Sequence, residues 1–383
     1  MSREARYPFS FYLILAANLF FFTGFQWTFV TLPGYVQEIG GGAAAMGLAY
    51  GLFSLSAVAA RPLVGWLTDR WGRKQMLLAG AAMFALSPAL YALLGSLWSF
   101  QIVRVFHGVG IAAFTTAYTT LVGDLAPPAR RGEAIGLSGV TNNLGMLFAP
   151  ALGVYVAGAW GYAAHFWASS LITAASLLFL LPVVEPRRTP AAHADSPSLR
   201  SVARQKPVWV ASFGITGLAV AYGAVLSFLA PLADERGLSA ASAYFSVFAV
   251  AMMLAQASAG WLSDRVGRRA VAAPGMAVAV LAMAGLALAH SDAALLIAGA
   301  VFGLSWGLAR AGIDTAVVEA VPTEARGTAV GFLYTMFDLG VGVGSFGLGV
   351  VAQAQSYAAA YFAAAIWALI TLVGYLGWNR RAA

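Results

Sequence analysis

The sequence predicts an all-α polytopic membrane protein, with twelve transmembrane helices arranged as two pseudo-symmetric six-helix bundles. Three observations carry this expectation. Of 383 residues, 60% are hydrophobic and only 10% charged, whereas a soluble domain carries about 25% charged residues; water cannot be the solvent over most of this surface. The apolar stretches reach the ~20 residues that a helix needs to cross a bilayer, and they lack the alternating ten-residue pattern of a membrane β-barrel. Finally, one register shift of 195 residues lays the first half of the chain on the second.

Taken in order, span 1 (10–33) is apolar, contains no acid and closes at Pro33. Spans 2 and 3 (43–67 and 75–95) flank a charged turn, and spans 4 to 6 (98–124, 134–157 and 163–183) complete a first bundle, 1–184. Residues 185–207, EPRRTPAAHADSPSLRSVARQKP, carry the Pro, Arg and Ser content of a linker. Spans 7 to 12 (208–232, 242–263, 271–289, 293–320, 328–353 and 359–378) form the second bundle, 208–383.

Twelve spans put both termini on one side. Eighteen of the 22 Lys and Arg fall there, three (Arg61, Arg104 and Arg310) lie inside spans, and only Arg236 lies opposite. Positive charge stays cytoplasmic during insertion, so both termini are expected in the cytoplasm. The net charge of +7 is therefore topological and excludes a nucleic-acid footprint. Cysteine is absent, which removes disulfides and thiolate metal sites, and no metal or cofactor is expected. No small-residue cleavage site follows the short basic start, so span 1 is expected to persist as a helix. The Ala- and Gly-rich composition points to a bacterial inner membrane.

The repeat is read from GWLTDRWGRK (65–74) and GWLSDRVGRR (260–269). At the same shift Gly65 meets Gly260, Asp69 meets Asp264, Arg73 meets Arg268, and Asp124 meets Glu319. Arg131-Gly132 meets Arg326-Gly327, Gly145 meets Gly340, and Asn143 falls opposite Asp338. An ungapped register of this length indicates a duplicated six-helix unit, and parallel repeats about an axis normal to the membrane are a transporter architecture. Over nearly its whole length the chain resembles the major facilitator superfamily. GWLTDRWGRK is similar to that superfamily's motif A, and GWLSDRVGRR to its echo in the second half.

Within the turn, Gly65 is expected to let helices approach closely, and Gly72 to supply unusual backbone angles. Asp69 can accept from backbone N–H groups at a helix start or pair with an arginine. The resemblance implies a cytoplasmic latch made of Asp69, Arg70, Arg73, Asp124 and Arg131, echoed by Asp264, Arg268, Glu319 and Arg326. Insertion signals alone would require neither the aspartate nor the glycine spacing.

Span 4 carries RVFHGVGIAA (104–113), similar to the family's motif B. Arg104 lies ~30 Å along the helix from Asp124, in the outer half of the membrane, where an arginine requires a partner; His107 is one turn on. Span 5 reads GMLFAPALG (145–153), similar to motif C with Ala149 in place of a glycine. Gly145, Pro150 and Gly153 allow close packing and a bend. In the family this signature accompanies drug–proton antiporters, which export.

The second half holds intramembrane charge. Arg310 and Asp314 are i and i+4 on one face of span 10, ~14 and ~8 Å in from Glu319, and Asp338 lies ~15 Å in from Thr328. Arg310 is expected to face both carboxylates, an arrangement that can couple transport to protons because a carboxylate's proton affinity follows its distance from a cation; the proton-coupling candidates are Asp338 first and Asp314 next, with Arg310 and Arg104. A purely structural ion pair between spans 10 and 11 is the alternative. Substrate-cavity candidates are Asn18, Gln26 and Trp27 in span 1, His107, Asn142 and Asn143, and Tyr334. The expected function is alternating-access secondary transport: proton-coupled export of small amphipathic organic molecules by a monomer in the lipid bilayer. The rivals are an importer or facilitator of a metabolite and a non-transporting membrane sensor. An enzyme is not expected, since no phosphate-binding loop or nucleophile–base pairing is present.

Overall fold

The computed structural model describes residues 6–127, 130–186, 201–202, 204–322 and 325–380. Among them eleven helices are long and apolar enough to cross a membrane. They are α1 (Phe9–Glu38), α2 (Ala43–Trp71), α3 (Arg73–Leu93), α4 (Leu97–Leu125), α5 (Arg131–Leu180) and α6 (Lys206–Glu235). The remainder are α7 (Ala241–Val266), α8 (Arg268–Leu288), α9 (Asp292–Ala320), α10 (Arg326–Ala354) and α11 (Tyr357–Arg380). No strand occurs among the described residues. In a bilayer, helices satisfy their backbone polar groups internally, which makes them the natural form for such segments.

The structure has eleven helices where twelve are expected. Spans 5 and 6 fall in the single 50-residue element α5, whose backbone leaves helical angles at Gly161 (φ 80, ψ 170). The surrounding AWGYAA offers neither a proline nor a polar loop to mark a break between helices, and glycine alone reaches that φ without strain. α5 is nevertheless not straight. His165 Nδ1 lies 2.9 Å from the Gly153 carbonyl oxygen, twelve residues away, a separation that would span ~18 Å in a straight helix. The two arms of α5 fold back on each other at Gly161.

Two boundaries also move. Pro33 lies inside α1, although an interior proline costs ~3 kcal/mol. Leu32, Tyr35 and Val36 around it are buried, and their close contacts with neighbouring side chains offset that cost, so the helix continues to Glu38. The charged turns shrink to single residues. α2 ends at Trp71 and α3 starts at Arg73, leaving Gly72 at φ 115; α7 ends at Val266 and α8 starts at Arg268, leaving Gly267 at φ 91. Both angles favour glycine.

The described residues of Met1–Thr31 and Ser56–Thr189 form one compact unit, and those of Leu32–Leu55 and Pro190–Ala383 a second. Each is held by helix contacts that no side chain interrupts. In the first, Gly80 of α3 abuts the Phe114 backbone of α4, and Gly110 abuts Phe84. In the second, the residues 195 positions on repeat this: Gly275 of α8 abuts the Ala309 backbone of α9, and Ser305 donates to the Gly275 carbonyl at 2.7 Å. The caps repeat as well, since Ser96 and Ser291 each accept from a first-turn N–H of α4 and α9 at 3.2 Å.

Motif C packs in the same way. A Cβ on Gly145 would fall 2.9 Å from the Thr23 nitrogen, and one on Gly153 2.9 Å from the Trp27 carbonyl oxygen. With Ala149 fully buried between them, one stripe of α5 lies against α1. Among the described residues a Cβ on Gly65 meets open space. Gly80→Val and Gly275→Val are each expected to lower the thermal unfolding temperature of the detergent-solubilised protein by several degrees, because backbone atoms block the new side chain. Gly65→Ala should leave it unchanged or slightly raised.

Candidate functional site

The charged turns are ion-pair sites that recur at the 195-residue shift. In the first unit Arg73 Nε lies 3.0 Å from Asp124 Oδ2, with the Arg73 side chain only 4% exposed. In the second, Arg268 Nη2 lies 2.6 Å from Glu319 Oε1, with the arginine 23% exposed. Each pair ties the helix after the turn to the end of the next one. Lys74 Nζ donates to the Leu181 carbonyl at 2.6 Å, and Arg269 Nη2, 195 residues on, donates to the Leu376 carbonyl at 3.1 Å. Asp69 and Arg70 are exposed on the last turn of α2, where the Arg70 guanidinium lies 5.2 Å from the Trp66 ring centre. The side chains of Arg131, Asp264 and Arg326 lie outside the described residues. Nearby, Arg130 donates to both oxygens of Glu133 at 2.8 and 2.6 Å, and this holds the Glu133 carboxyl below its usual range.

Inside the first unit, Arg104 is fully buried. Its Nη1 lies 3.3 Å from His107 Nδ1, its guanidinium carbon lies 4.7 Å from the Phe29 ring centre, and Tyr91 Oη is 2.9 Å from the same His107 nitrogen. A guanidinium can only donate, so that contact fixes His107 Nδ1 as an acceptor. Asn18, also fully buried, donates from Nδ2 to Thr141 Oγ1 at 2.8 Å and to Asn142 Oδ1, which joins α1 to α5. Trp27 Nε1 donates to the His165 carbonyl at 3.3 Å, and His165 Nε2 meets Thr31 Oγ1 at 2.7 Å. Gln26 Oε1 is buried and has no hydrogen-bond partner among the described residues. Asn143 is half-buried and joins none of these contacts.

The second unit contains the intramembrane ion pair. Arg310 Nε donates to Asp314 Oδ1 and Oδ2 at 2.9 and 2.8 Å. The arginine side chain is 14% exposed and the aspartate 43%, so the carboxylate is the accessible end. The guanidinium carbon lies 5.1 Å from the Tyr334 ring centre and 5.7 Å from that of Phe337, within cation–π range. One turn along α9, Trp306 packs on Tyr222 (5.0 Å between ring centres) and Phe337 (5.8 Å), with Phe302 at 6.0 Å. Asp338 is half-buried beside Phe337. Arg310 thus reaches Asp314 and Tyr334 directly, and the site is an ion pair at the edge of an aromatic cluster, the mixture of apolar wall and few polar groups typical of a ligand site.

The Major Facilitator Superfamily model matches residues 14–345 and 240–383. The chain belongs to this superfamily. Among curated relatives, multidrug resistance protein MdtG of Klebsiella pneumoniae (strain 342) is 25% identical over 337 residues, covering 84% of this chain and 82% of that one. An uncharacterized MFS-type transporter of Methanocaldococcus jannaschii, MJ1560, is 24% identical over 357 residues, covering 89% and 91%. Among solved structures, a mutant of the nucleoside transporter NupG superposes with a TM-score of 0.80 at 14% identity, covering 96% of this chain and 99% of that one, which shows the shared fold. The protein is therefore a multi-pass membrane transporter and not an enzyme. Superfamily transporters bind small-molecule substrates.

Several residues of these sites escape sequence reasoning. His165 is a lone histidine in an apolar run, and Tyr222, Trp306 and Phe337 read as ordinary packing. The Arg73–Asp124 and Arg268–Glu319 pairings, by contrast, are implicit in the repeat, because both members of each pair shift together. The Arg73 side chain is buried but Asp124 is 39% exposed, so solvent partly screens the carboxylate that removal of Arg73 leaves behind. The cost lies above that of a fully exposed pair but below that of stranding a buried charge. The Arg268–Glu319 pair is more exposed and contributes about 1 kcal/mol or less. Arg73→Ala is accordingly expected to lower thermal stability clearly more than Arg268→Ala, measured side by side in the same detergent.

Proposed function

We propose that this superfamily member is a proton-coupled exporter of small amphipathic organic compounds, working by alternating access in a bacterial inner membrane with both termini cytoplasmic. The observation that carries this is the Arg310–Asp314 pair set inside a membrane helix and bordered by aromatic rings. An ion pair is a poor route to stability in a low-dielectric interior, and an ionisable residue within a span is a functional candidate by default. Asp314, the more exposed member of the pair, is the carboxylate proposed to take up and release the proton during the cycle. Asp338 is the second carboxylate within reach of the same helix pair. Trp306, Tyr222, Phe337 and Tyr334 supply the apolar surface for the substrate. Export is supported by the motif C stripe Gly145–Ala149–Gly153 and by relatives named for multidrug resistance.

In everted membrane vesicles, an acidic interior is expected to drive accumulation of a fluorescent amphipath such as ethidium. Asp314→Asn should abolish this proton-driven accumulation while leaving exchange of labelled for unlabelled compound intact. Uptake into whole cells driven by the inward proton gradient would instead establish an importer.

The two charged turns form the proposed cytoplasmic gate, with the domains 1–184 and 208–383 as its moving parts and 185–207 as their tether. Asp69→Ala is expected to lower the turnover rate severalfold and leave equilibrium binding of the same dye within experimental error; equal losses in both would remove Asp69 from the gate.

A further inference from the structure

Arg310 is held the way a bound organic cation would be. Its guanidinium carbon lies 5.1 Å from the Tyr334 ring centre and 5.7 Å from that of Phe337, and the Asp314 carboxylate completes the setting. Aromatic faces and a carboxylate together are the chemistry that recognises organic cations. The attachment to the carboxylate is the weaker of the forms open to arginine. One N–H, that of Nε, is shared between Asp314 Oδ1 and Oδ2 at 2.9 and 2.8 Å, whereas the strong form places two parallel N–H groups on the two oxygens. A carboxylate offers about four lone-pair sites, and among the described residues Asp314 accepts no other hydrogen bond. It is 43% exposed against 14% for the arginine side chain, so a charged molecule reaching the site meets the negative group first.

The aromatic surface continues past the guanidinium. Phe337 packs on Trp306 (5.8 Å between ring centres) and on Tyr222 (6.1 Å), while Tyr222, Tyr334 and Phe337 are each half-buried and keep part of the ring uncovered. We propose that Arg310 is a tethered occupant of the substrate site. The substrate is a monovalent organic cation; its charged group displaces the guanidinium from Asp314, Tyr334 and Phe337, and its apolar body lies against Tyr222. One positive charge then exchanges for another. The displaced head group keeps its hydration, because the arginine side chain already reaches the surface and its stem can turn the charge outward. An anion would be repelled by the accessible carboxylate, and a neutral molecule would gain nothing to offset the loss of the guanidinium contacts. Span 1 carries no acid, so this selection for charge belongs to the second unit's own residues. The inference rests on the reading of this pair as part of the transport site, and is independent of the direction of transport and of the coupling ion.

Equilibrium binding to the purified full-length protein, with no ion gradient, tests this with two probes of one shape and opposite charge, tetraphenylphosphonium and tetraphenylborate. Binding is measured above that of protein-free micelles. The wild type is expected to bind the phosphonium about tenfold more tightly than the borate. Arg310→Met removes the tethered competitor and keeps most of the stem; it should tighten phosphonium binding about fivefold, the worth of one cation–π contact. A residue that served only to hold the site together would weaken binding when removed. Asp314→Asn should weaken phosphonium binding severalfold, a loss that saturating dye overcomes in the exchange assay. The proposal is overturned by equal affinity for the two probes, by preference for the borate, or by unchanged or weaker phosphonium binding in Arg310→Met. If Arg310→Met does not purify as a monodisperse protein, the wild-type comparison and Asp314→Asn decide. Loss of the charge preference alongside intact acid-driven accumulation in everted vesicles would remove the substrate class and leave the exporter standing. A tenfold preference without proton-driven accumulation would uphold the class and remove the coupling.

Discussion

Helix backbones in this protein must meet without a hydrophobic force to press them together, because lipid tails are as apolar as leucine. The fold depends on that constraint. Gly80 on Phe114, Gly275 on Ala309 and Gly145 on Thr23 are places where one helix lies directly on the backbone of another, and dispersion contacts and short hydrogen bonds act there over many atoms. Glycine also makes the turns. Gly72 and Gly267 are the single residues between paired helices, and their positive φ lets the chain reverse there within one residue.

Duplication kept this scaffold and let the chemistry diverge. The helix caps at Ser96 and Ser291, the glycine contacts and the arginine–carboxylate pairs survive at equivalent positions. The buried charges do not. Arg104 of the first unit, set against His107 and Phe29, has Gly299 as its counterpart, where the Tyr244 ring fills the space. Arg310 and Asp314 have Thr115 and Thr119 as theirs. The scaffold is therefore common to both units, while the ion pair proposed to carry the proton belongs to the second alone.

Much of the fold was legible because membrane helices are written in long apolar runs and because the repeat is ungapped from GWLTDRWGRK onward. The division between spans 5 and 6 was not legible at Gly161, where the signal between adjoining helices is one glycine in an apolar context and only its dihedral angles mark the fold-back. Helix ends at Glu38 and Trp71 overran their expected limits because burial outweighs a proline in one case and charges tolerate the aqueous end of a helix in the other. The Arg310–Asp314 pair was legible because i and i+4 spacing is local. The partners of Trp27 and Asn18, and the aromatic cluster around Trp306, were not, because they arise from helices distant in sequence whose side chains look like any other packing.

In the proposed mechanism the Arg310–Asp314 pair exists for proton coupling and not for stability. Its most direct test replaces both charges at once, Arg310→Met with Asp314→Asn, and measures unfolding temperature and proton-driven ethidium movement on the same reconstituted preparation. With the Asp314 carboxylate 43% exposed, this i,i+4 pair contributes about 1 kcal/mol or less to stability, so its neutral replacement changes stability little. The expected result is a protein of nearly wild-type stability that exchanges dye but no longer moves it against a gradient; proton-driven movement at the wild-type rate would contradict the coupling role.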